Sequence, residues 1–221
     1  MISASHNTYE FNGIKIFGTD GYKLDDKDEQ EIEGILGNID SYDLTSRIVG
    51  KAKRIDDAQA RYIEYVKGTL DRNINFDGIK VVIDSAHGAA YKVAPLALWE
   101  LGAKVISIGD NPNGKNINHE YGSTSLGNLK KAVSNHKADI GIALDGDADR
   151  IIVIDEMGNI VDGDTLLAII ATEWKKLGKL KKNSVVATIL SNIGLESYLS
   201  QEEMKLFRTN VGDRYVSQFM R

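Results

Sequence analysis

The middle of the chain alternates between two hydrophobic patterns, one typical of buried strands and the other of helices. Short runs rich in β-branched and other apolar residues predict strands at residues 79–83, 104–108 and 139–144. Helical spacing of apolar residues fills the gaps between them, at residues 89–101 and 126–136. This β-α-β-α-β order predicts an α/β fold with a mainly parallel sheet, flanked by helices and connected by right-handed crossovers.

The two helices of this region carry start and stop signals. Gly102 is expected to end the first helix, and Pro95 is expected to interrupt it near its first turn. Ser123 or Ser125 is expected to cap the second helix, because a serine hydroxyl can accept a hydrogen bond from a free backbone N–H group. These signals confine both helices to the segments between the strands.

The pattern changes after residue 149. Apolar residues 151–154 and 160–161 flank a polar segment that contains a glycine, which predicts a hairpin and therefore a mixed sheet. Alternating helix and strand signals follow, at residues 163–177, 184–189, 193–199 and 205–208. This second series indicates the opening of another α/β unit of the same kind.

The first part of the chain differs from the rest. It combines a polar loop, several glycines and an acidic helix predicted at residues 26–36. Such a segment is too short for a core of its own, since chains below about 40 to 60 residues rarely fold alone. We therefore expect a partial unit at residues 1–52, a complete unit at 53–161 and another partial unit at 162–221.

The amino-acid composition of the chain limits the kinds of molecule that it is expected to bind. The 221 residues are 42% hydrophobic and carry a net charge of −5, which gives no support to nucleic-acid binding. The longest apolar run, residues 166–171, is too short to cross a membrane, so no membrane partner is expected. The sequence has no cysteine, which excludes disulfides and thiolate chemistry and fits a cytoplasmic protein. An anionic substrate would need local positive charge or a metal.

The strongest candidate for chemistry is an acidic loop directly after a predicted strand. Asp145, Asp147 and Asp149 alternate in the segment Asp-Gly-Asp-Ala-Asp-Arg. Carboxylates at this spacing can converge on one hard cation, and without a cation their mutual repulsion is costly. The position also fits, because α/β sheets bind ligands beyond the carboxyl ends of their strands. The plainer alternative is a solvated acidic turn.

A calcium-binding EF-hand is a second interpretation of the same loop. Asp145, Asp147, Asp149 and Glu156 occupy positions one, three, five and twelve of that motif. Position six, however, holds Arg150 where the motif needs glycine, and β-branched segments rather than helices flank the loop. The context therefore excludes an EF-hand.

A second candidate lies near the start of the chain. Ser5 adjoins His6 in a polar loop, and Lys15 follows closely. A serine of this kind can act as a nucleophile, and a lysine can bind phosphate or move a proton. Serine-rich loops more often simply form turns, so this feature is weak alone. A hydroxyl nucleophile and a magnesium-type carboxylate loop together are the parts that phosphoryl transfer requires.

The two loops together resemble the α-D-phosphohexomutase superfamily. Residues 3–7 (Ser-Ala-Ser-His-Asn) with residues 12–15 (Asn-Gly-Ile-Lys) resemble its phosphoserine loop, and residues 145–150 resemble its metal loop. The resemblance implies that Ser5 is phosphorylated and, with the three aspartates, holds one Mg²⁺. It also implies catalytic roles for Lys15 and His6, with Lys15 as a candidate for proton transfer, and a phosphate contact for Arg150.

Further segments resemble the bacterial phosphoglucosamine mutase branch of that superfamily. They are residues 53–57, 88–92, 116–118, 122–124, 155–164 and 211–216. The resemblance implies an isomerase that interconverts glucosamine 6-phosphate and glucosamine 1-phosphate through a phosphoserine and a bisphosphorylated sugar. A sugar bisphosphate activator, a phosphosugar partner and a place in UDP-N-acetylglucosamine and cell-wall synthesis are implied with it. The oligomeric state stays open.

The resemblance covers the whole chain, but members of this superfamily have four domains. By comparison, the chain is expected to begin inside domain 1, contain domain 2 and end inside domain 3, before the loop that recognises the sugar. A phosphomannomutase or phosphoglucomutase of the same superfamily therefore remains an alternative, as does an inactive metal-binding fragment. We expect the chain alone to be inactive.

Overall fold

The computed structural model of the protein describes residues 1–41, 51, 54–71 and 73–221, and its strands form three separate sheets. The strands are β1 (Ile2–Ser3), β2 (Gly13–Ile14), β3 (Lys80–Asp84), β4 (Lys104–Ile108), β5 (Ile140–Leu144), β6 (Ile151–Asp155), β7 (Ile160–Val161), β8 (Ser184–Thr188) and β9 (Lys205–Thr209). The α-helices found in these residues are α1 (Asp26–Gly37), α2 (Ala58–Lys67), α3 (Val93–Glu100), α4 (Gly127–His136), α5 (Gly163–Lys176), α6 (Ile193–Gln201) and α7 (Asp213–Met220).

The central sheet has five strands in the order β4-β3-β5-β6-β7. β3 runs parallel to both β4 and β5, with Val82 opposite Ile106 on one side and Gly141 on the other. β6 and β7 extend the sheet as an antiparallel hairpin. This arrangement confirms the predicted parallel strands, the predicted hairpin and the mixed α/β class.

The core of the central unit lies between this sheet and α4. Val82, Leu129, Val133 and Ile154 are fully buried there, and burial of each such side chain contributes about 1.5–3 kcal/mol. Gly141 permits the close packing, because a Cβ at that position would lie 2.6 Å from Ile154 Cγ1 and 2.7 Å from Val133 Cγ2. The core therefore fixes β5, the strand that leads into the acidic loop.

The helices after β3 and β4 begin differently from the sequence prediction. α3 begins at Val93, after a short 3₁₀ turn, and Pro95 lies in its first turn, where the missing N–H group is harmless. The prediction that Ser123 or Ser125 caps α4 is wrong, since the cap position is Leu126 and carries no side-chain hydrogen bond. The Ser123 N–H group instead donates to Leu144 O at 3.0 Å, which ties this segment to the end of β5.

The first and third units contain smaller sheets. β1 and β2 form an antiparallel pair, whereas β8 and β9 are parallel and pack against α6, as predicted for a second α/β unit. The predicted boundary between residues 52 and 53 lies outside the described residues. No helix in the described ranges is long and apolar enough to span a membrane.

The first and third units also touch each other through charged side chains. Lys23 Nζ donates to both carboxylate oxygens of Asp213 at 2.8 and 2.9 Å. Arg214 Nη2 donates to Asp26 Oδ1 at 2.6 Å. These contacts join the start of α7 to the segment around the start of α1.

Candidate active site

The acidic loop begins where β5 ends. Asp145 follows Leu144, and its side chain is fully buried. Its Oδ1 atom accepts a hydrogen bond of 3.0 Å from the backbone N–H group of Arg150, which closes the loop. Ala148 has a left-handed φ of +59° within the turn. The loop therefore presents its carboxylates at the carboxyl edge of the parallel strands, where α/β folds bind their ligands.

The carboxylates of Asp145, Asp147 and Asp149 converge as the sequence predicts. One oxygen from each lies within 4.8 Å of the others. Asp145 Oδ2 and Asp147 Oδ1 are buried and accept no hydrogen bond from the described residues, a costly state unless a cation balances them. Donors that are all oxygen suit a hard cation such as Mg²⁺. The three aspartates thus fit a magnesium ion, and the strands on both sides of the loop rule out the EF-hand.

Lys15 brings a positive charge to this cluster from the first unit. Its Nζ atom lies 2.7 Å from Asp147 Oδ2 and 3.7 Å from Asp149 Oδ2. The hydrogen bond to Asp147 is the main reason that the pKa of Lys15 rises above its usual value. Burial alone would raise the pKa of Asp147, but hydrogen bonds from Lys15 and Ser3 hold it below its ordinary value. Lys15 is therefore a cation in this arrangement.

Asp145 has a different electrostatic environment. Burial raises its pKa, the Arg150 N–H group lowers it, and the neighbouring Asp149 and Asp147 carboxylates raise it further. The nearest guanidinium atom, Arg150 Nε, is 3.9 Å from Asp145 Oδ2. This carboxylate is thus the least compensated of the three, and a bound divalent cation would stabilise its charged form.

The serine loop lies against the acidic loop. Ser3 Oγ donates a hydrogen bond of 2.5 Å to Asp147 Oδ2. The same Ser3 oxygen accepts a hydrogen bond of 2.9 Å from the backbone N–H group of Ser5. Ser5 has a φ of +52°, in the left-handed region that a serine rarely occupies. The two candidate loops of the sequence therefore form one site.

The structure places the remaining predicted residues around this junction. Ser5 Oγ lies 3.4 Å from His6 Nδ1, and it is Ser3 whose hydroxyl contacts the carboxylates. The Arg150 side chain is about half exposed at the rim of the loop, with its backbone committed to Asp145. The site thus combines a serine hydroxyl, a histidine, two cationic side chains and three carboxylates.

Sequence reasoning gave no individual role to three residues at the junction. Ser3 links the two loops, and Asn118 donates hydrogen bonds to the serine loop. Gly146 leaves space for the Asn118 amide and the Ser5 carbonyl group. A Cβ at Gly146 would lie 2.7 Å from both Asn118 Nδ2 and Ser5 O. The glycine between the first two aspartates was the visible signal, since glycine in such a loop often marks a close approach of backbone.

Comparisons with known proteins agree with this fold and site. Three family models match successive parts of the chain: the α/β/α domains I, II and III of phosphoglucomutase/phosphomannomutase match residues 1–43, 60–158 and 162–221. The chain therefore belongs to the phosphoglucomutase/phosphomannomutase family. A solved structure of a phosphoglucomutase/phosphomannomutase family protein from Burkholderia thailandensis superposes with a TM-score of 0.79 at 20% identity, covering 100% of this chain and 46% of that one.

Curated relatives of the chain include several bacterial phosphoglucosamine mutases. The chain is 57% identical to the phosphoglucosamine mutase of Rhizobium etli, over 100% of this chain and 49% of the relative. It is 54% identical to the phosphoglucosamine mutase of Paramagnetospirillum magneticum with the same coverage. The chain thus spans about half the length of the curated relatives it matches. These matches confirm the predicted resemblance.

Proposed function

We propose that the chain is the nucleophile- and metal-bearing part of a phosphoglucosamine mutase, an isomerase that interconverts glucosamine 6-phosphate and glucosamine 1-phosphate. The observation that carries the proposal is the junction at which the serine loop, Lys15 and the acidic loop meet. The similarity to phosphoglucosamine mutases over the whole chain supports this substrate over mannose or glucose phosphates. We assign residues 1–52, 53–161 and 162–221 to domains 1, 2 and 3.

The nucleophile of the proposed reaction is Ser5. As a phosphoserine, it transfers its phosphoryl group to the free hydroxyl of the sugar monophosphate, so that one Ser5 Oγ–P bond breaks and one sugar O–P bond forms. The bisphosphorylated sugar reorients and returns its other phosphoryl group to Ser5. A free sugar bisphosphate serves as the activator, because it restores the phosphoserine when the intermediate escapes.

Asp145, Asp147 and Asp149 would hold Mg²⁺ together with an oxygen on Ser5. The ion would neutralise negative charge on the phosphoryl group during transfer. Arg150 is placed to contact the phosphate from the rim of the loop. Lys15, held as a cation by Asp147, is suited to donate a proton when the Ser5 hydroxyl is restored. His6 lies beside Ser5 Oγ and orients its hydroxyl.

The setting of the proposed enzyme follows from its chemistry. The phosphosugar is its partner, and the product enters UDP-N-acetylglucosamine and peptidoglycan precursor synthesis. The absence of cysteine from the sequence agrees with a cytoplasmic location. We also expect these 221 residues alone not to complete the cycle, because small misplacements of a sugar can reduce a rate about a hundredfold.

The proposal is tested with a chimera in which residues 1–221 replace the matching half of the Rhizobium etli phosphoglucosamine mutase. We expect magnesium-dependent conversion of glucosamine 6-phosphate, with phosphate on Ser5 by mass spectrometry and no turnover in a Ser5→Ala chimera. Ser3→Ala is the matched control, since we expect it to retain Ser5 as the phosphorylated residue. Preferred conversion of mannose or glucose phosphates would favour the other branches, and an inactive chimera that folds and binds magnesium would favour the metal-binding fragment.

A further inference from the structure

Asn118 is the side chain that holds the serine loop from the other side of the junction. It lies in the segment between β4 and α4 and is only 7% exposed. Its Nδ2 atom donates hydrogen bonds to Ser5 O at 2.8 Å and to Asn7 O at 2.7 Å. Both N–H bonds of one side-chain amide are therefore committed to the backbone that carries Ser5 and His6.

The conformation that Asn118 holds is an unfavourable one. Ser5 has a φ of +52°, and the left-handed region costs roughly 1–2 kcal/mol for a residue with a Cβ. This twist turns Ser5 O toward Gly146 and the Asn118 amide, while the Ser5 N–H group reaches Ser3 Oγ. If Ser5 O loses its hydrogen bond from Asn118, the left-handed conformation of Ser5 loses a contact that offsets its cost.

Hydrogen bonds to the end of β3 hold Asn118 itself in place. Its backbone N–H group donates to Ala86 O at 2.9 Å. Ala86 N in turn donates to Asp84 Oδ1 at 2.9 Å, and Gly122 N donates to Asp84 Oδ2 at 2.8 Å. Asp84 is fully buried at the end of β3. The side-chain amide is thus tied through two loops to the central sheet.

We propose that Asn118 is a positioning residue for the nucleophile: its amide holds Ser5 in the left-handed conformation that brings the serine loop against the acidic loop. This inference rests on the proposed function, in which Ser5 receives the phosphoryl group. The hydrogen bonds that the Asn118 side chain donates go to backbone oxygens and not to the three carboxylates or the Ser5 hydroxyl, so its effect is on the position of the nucleophile and not on metal binding.

The choice of variant follows from the backbone of Asn118. Its own φ is +58°, so an alanine would add strain of its own. Asn118→Gly removes the amide at a position that glycine adopts freely. Asn118→Asp keeps the shape but replaces the donors with a carboxylate facing two carbonyl oxygens. Asn116→Gly is the matched control, because the hydrogen bonds that the structure gives the Asn116 side chain stay within its own segment, to Asn111 O and Asn113 N.

The first measurement is amide hydrogen exchange on the chain itself. The Ser5 and Asn7 N–H groups report the serine loop, through their bonds to Ser3 Oγ and Ala4 O. In both Asn118 variants we expect them to exchange at least about tenfold faster, an opening made easier by roughly 1.4 kcal/mol or more. Amides in β3 and β5 should be unchanged, which shows that the core stays folded. Unchanged exchange at Ser5 and Asn7 would overturn the proposal.

The second measurement is the rate at which Ser5 accepts phosphate from glucosamine 1,6-bisphosphate with magnesium, in the chimera with the Rhizobium etli phosphoglucosamine mutase. We expect both Asn118 variants to be about 100-fold slower at saturating bisphosphate, with an unchanged half-saturating concentration and unchanged magnesium affinity. Asn116→Gly should match the unsubstituted chimera. A rise in the half-saturating concentration without a slower maximal rate would overturn the positioning role. If the unsubstituted chimera takes no phosphate on Ser5, the proposed function fails, while hydrogen exchange still decides whether Asn118 holds the loop.

Discussion

Lys15 Nζ lies 2.7 Å from Asp147 Oδ2, although 132 residues separate the two in the chain. The lysine occupies an oxygen of one proposed metal ligand and places a positive charge beside the other two. It therefore competes with a divalent cation for the same carboxylates while also stabilising them in its absence. Lys15 can therefore affect both magnesium affinity and turnover, and these two effects have to be measured separately.

We expect Lys15→Met to bind Mg²⁺ more tightly, by roughly tenfold, because a partly buried cation no longer opposes the metal. The same substitution in the chimera should abolish turnover. Isothermal titration calorimetry of the chain gives the affinity, and Lys23→Met, whose partner is Asp213, is the control. Weaker magnesium binding in Lys15→Met would show that the lysine supports the metal instead of competing with it.

Asp145→Asn should have opposite effects on metal affinity and on stability without metal. Magnesium affinity should fall by at least about tenfold, because a buried ligand charge is lost. Metal-free stability should rise or stay constant, since burial and neighbouring carboxylates disfavour the Asp145 charge. Calorimetry and urea unfolding measure the two effects. Glu156→Gln makes the same change of charge outside the cluster and should change neither the magnesium affinity nor the stability. An equal loss of magnesium affinity in both variants would favour the EF-hand interpretation.

Asp84 should make the fold less stable as the pH rises. Burial raises its pKa from an ordinary 3.8 to about 6, although the N–H groups of Gly122 and Ala86 act to lower it. The folded state therefore binds this proton more tightly than the unfolded chain. The resulting stability is complete below about pH 4 and is lost as the pH rises through 6, by up to about 3 kcal/mol.

The pH effect of Asp84 is measured by urea unfolding from pH 4 to pH 8, with circular dichroism as the signal. Asp84→Asn should remove the fall in stability between pH 4 and 6, even if the loss of one hydrogen-bond acceptor lowers stability at every pH. Asp155→Asn provides a contrast, because hydrogen bonds from Asn159 lower the pKa of Asp155. A parallel pH profile for Asp84→Asn and the unsubstituted chain would contradict the prediction.

Gly146→Ala should push the serine loop away from the acidic loop. The new Cβ would lie 2.7 Å from both Ser5 O and Asn118 Nδ2, where no side chain fits without movement. We expect a loss of roughly 1–3 kcal/mol in stability, typical of overpacking, and faster exchange of the Ser5 amide. Gly127→Ala, which meets open space at the start of α4, is the control. An unperturbed Ser5 amide in Gly146→Ala would show that the loops do not pack in this way.

The central unit was the part of the fold most open to sequence prediction. Residues 81–83 of the predicted β-branched strand are buried on both faces of the sheet in β3, so the local pattern and the environment agree there. α2 was missed because polar residues interrupt its apolar ones and it buries only Ile63. α7 was missed as well, because none of its residues is buried and its apolar face has no clear run in the sequence.

The sequence predicted the serine loop and the acidic loop of the candidate site, but not the hydrogen bonds that hold them together. The aspartate spacing in residues 145–149 and the similarity of the serine loop identified the groups for which we propose catalytic and metal-binding roles. The role of Asn118 could not be seen, since it depends on left-handed backbone at Asn118 and Ser5 and on contacts across more than a hundred residues. Such contacts arise from packing and leave no local pattern in the sequence.

The hydrogen bond between Ser3 and Asp147 also determines the order in which the parts of the site can come together. The two residues are 144 positions apart, and the loop between them must close before they can meet. During synthesis, the serine loop emerges before β5 and the acidic loop, and until they follow it lacks the contact between Ser3 and Asp147. The left-handed conformation of Ser5 therefore gains its supporting contacts only once the central sheet has formed.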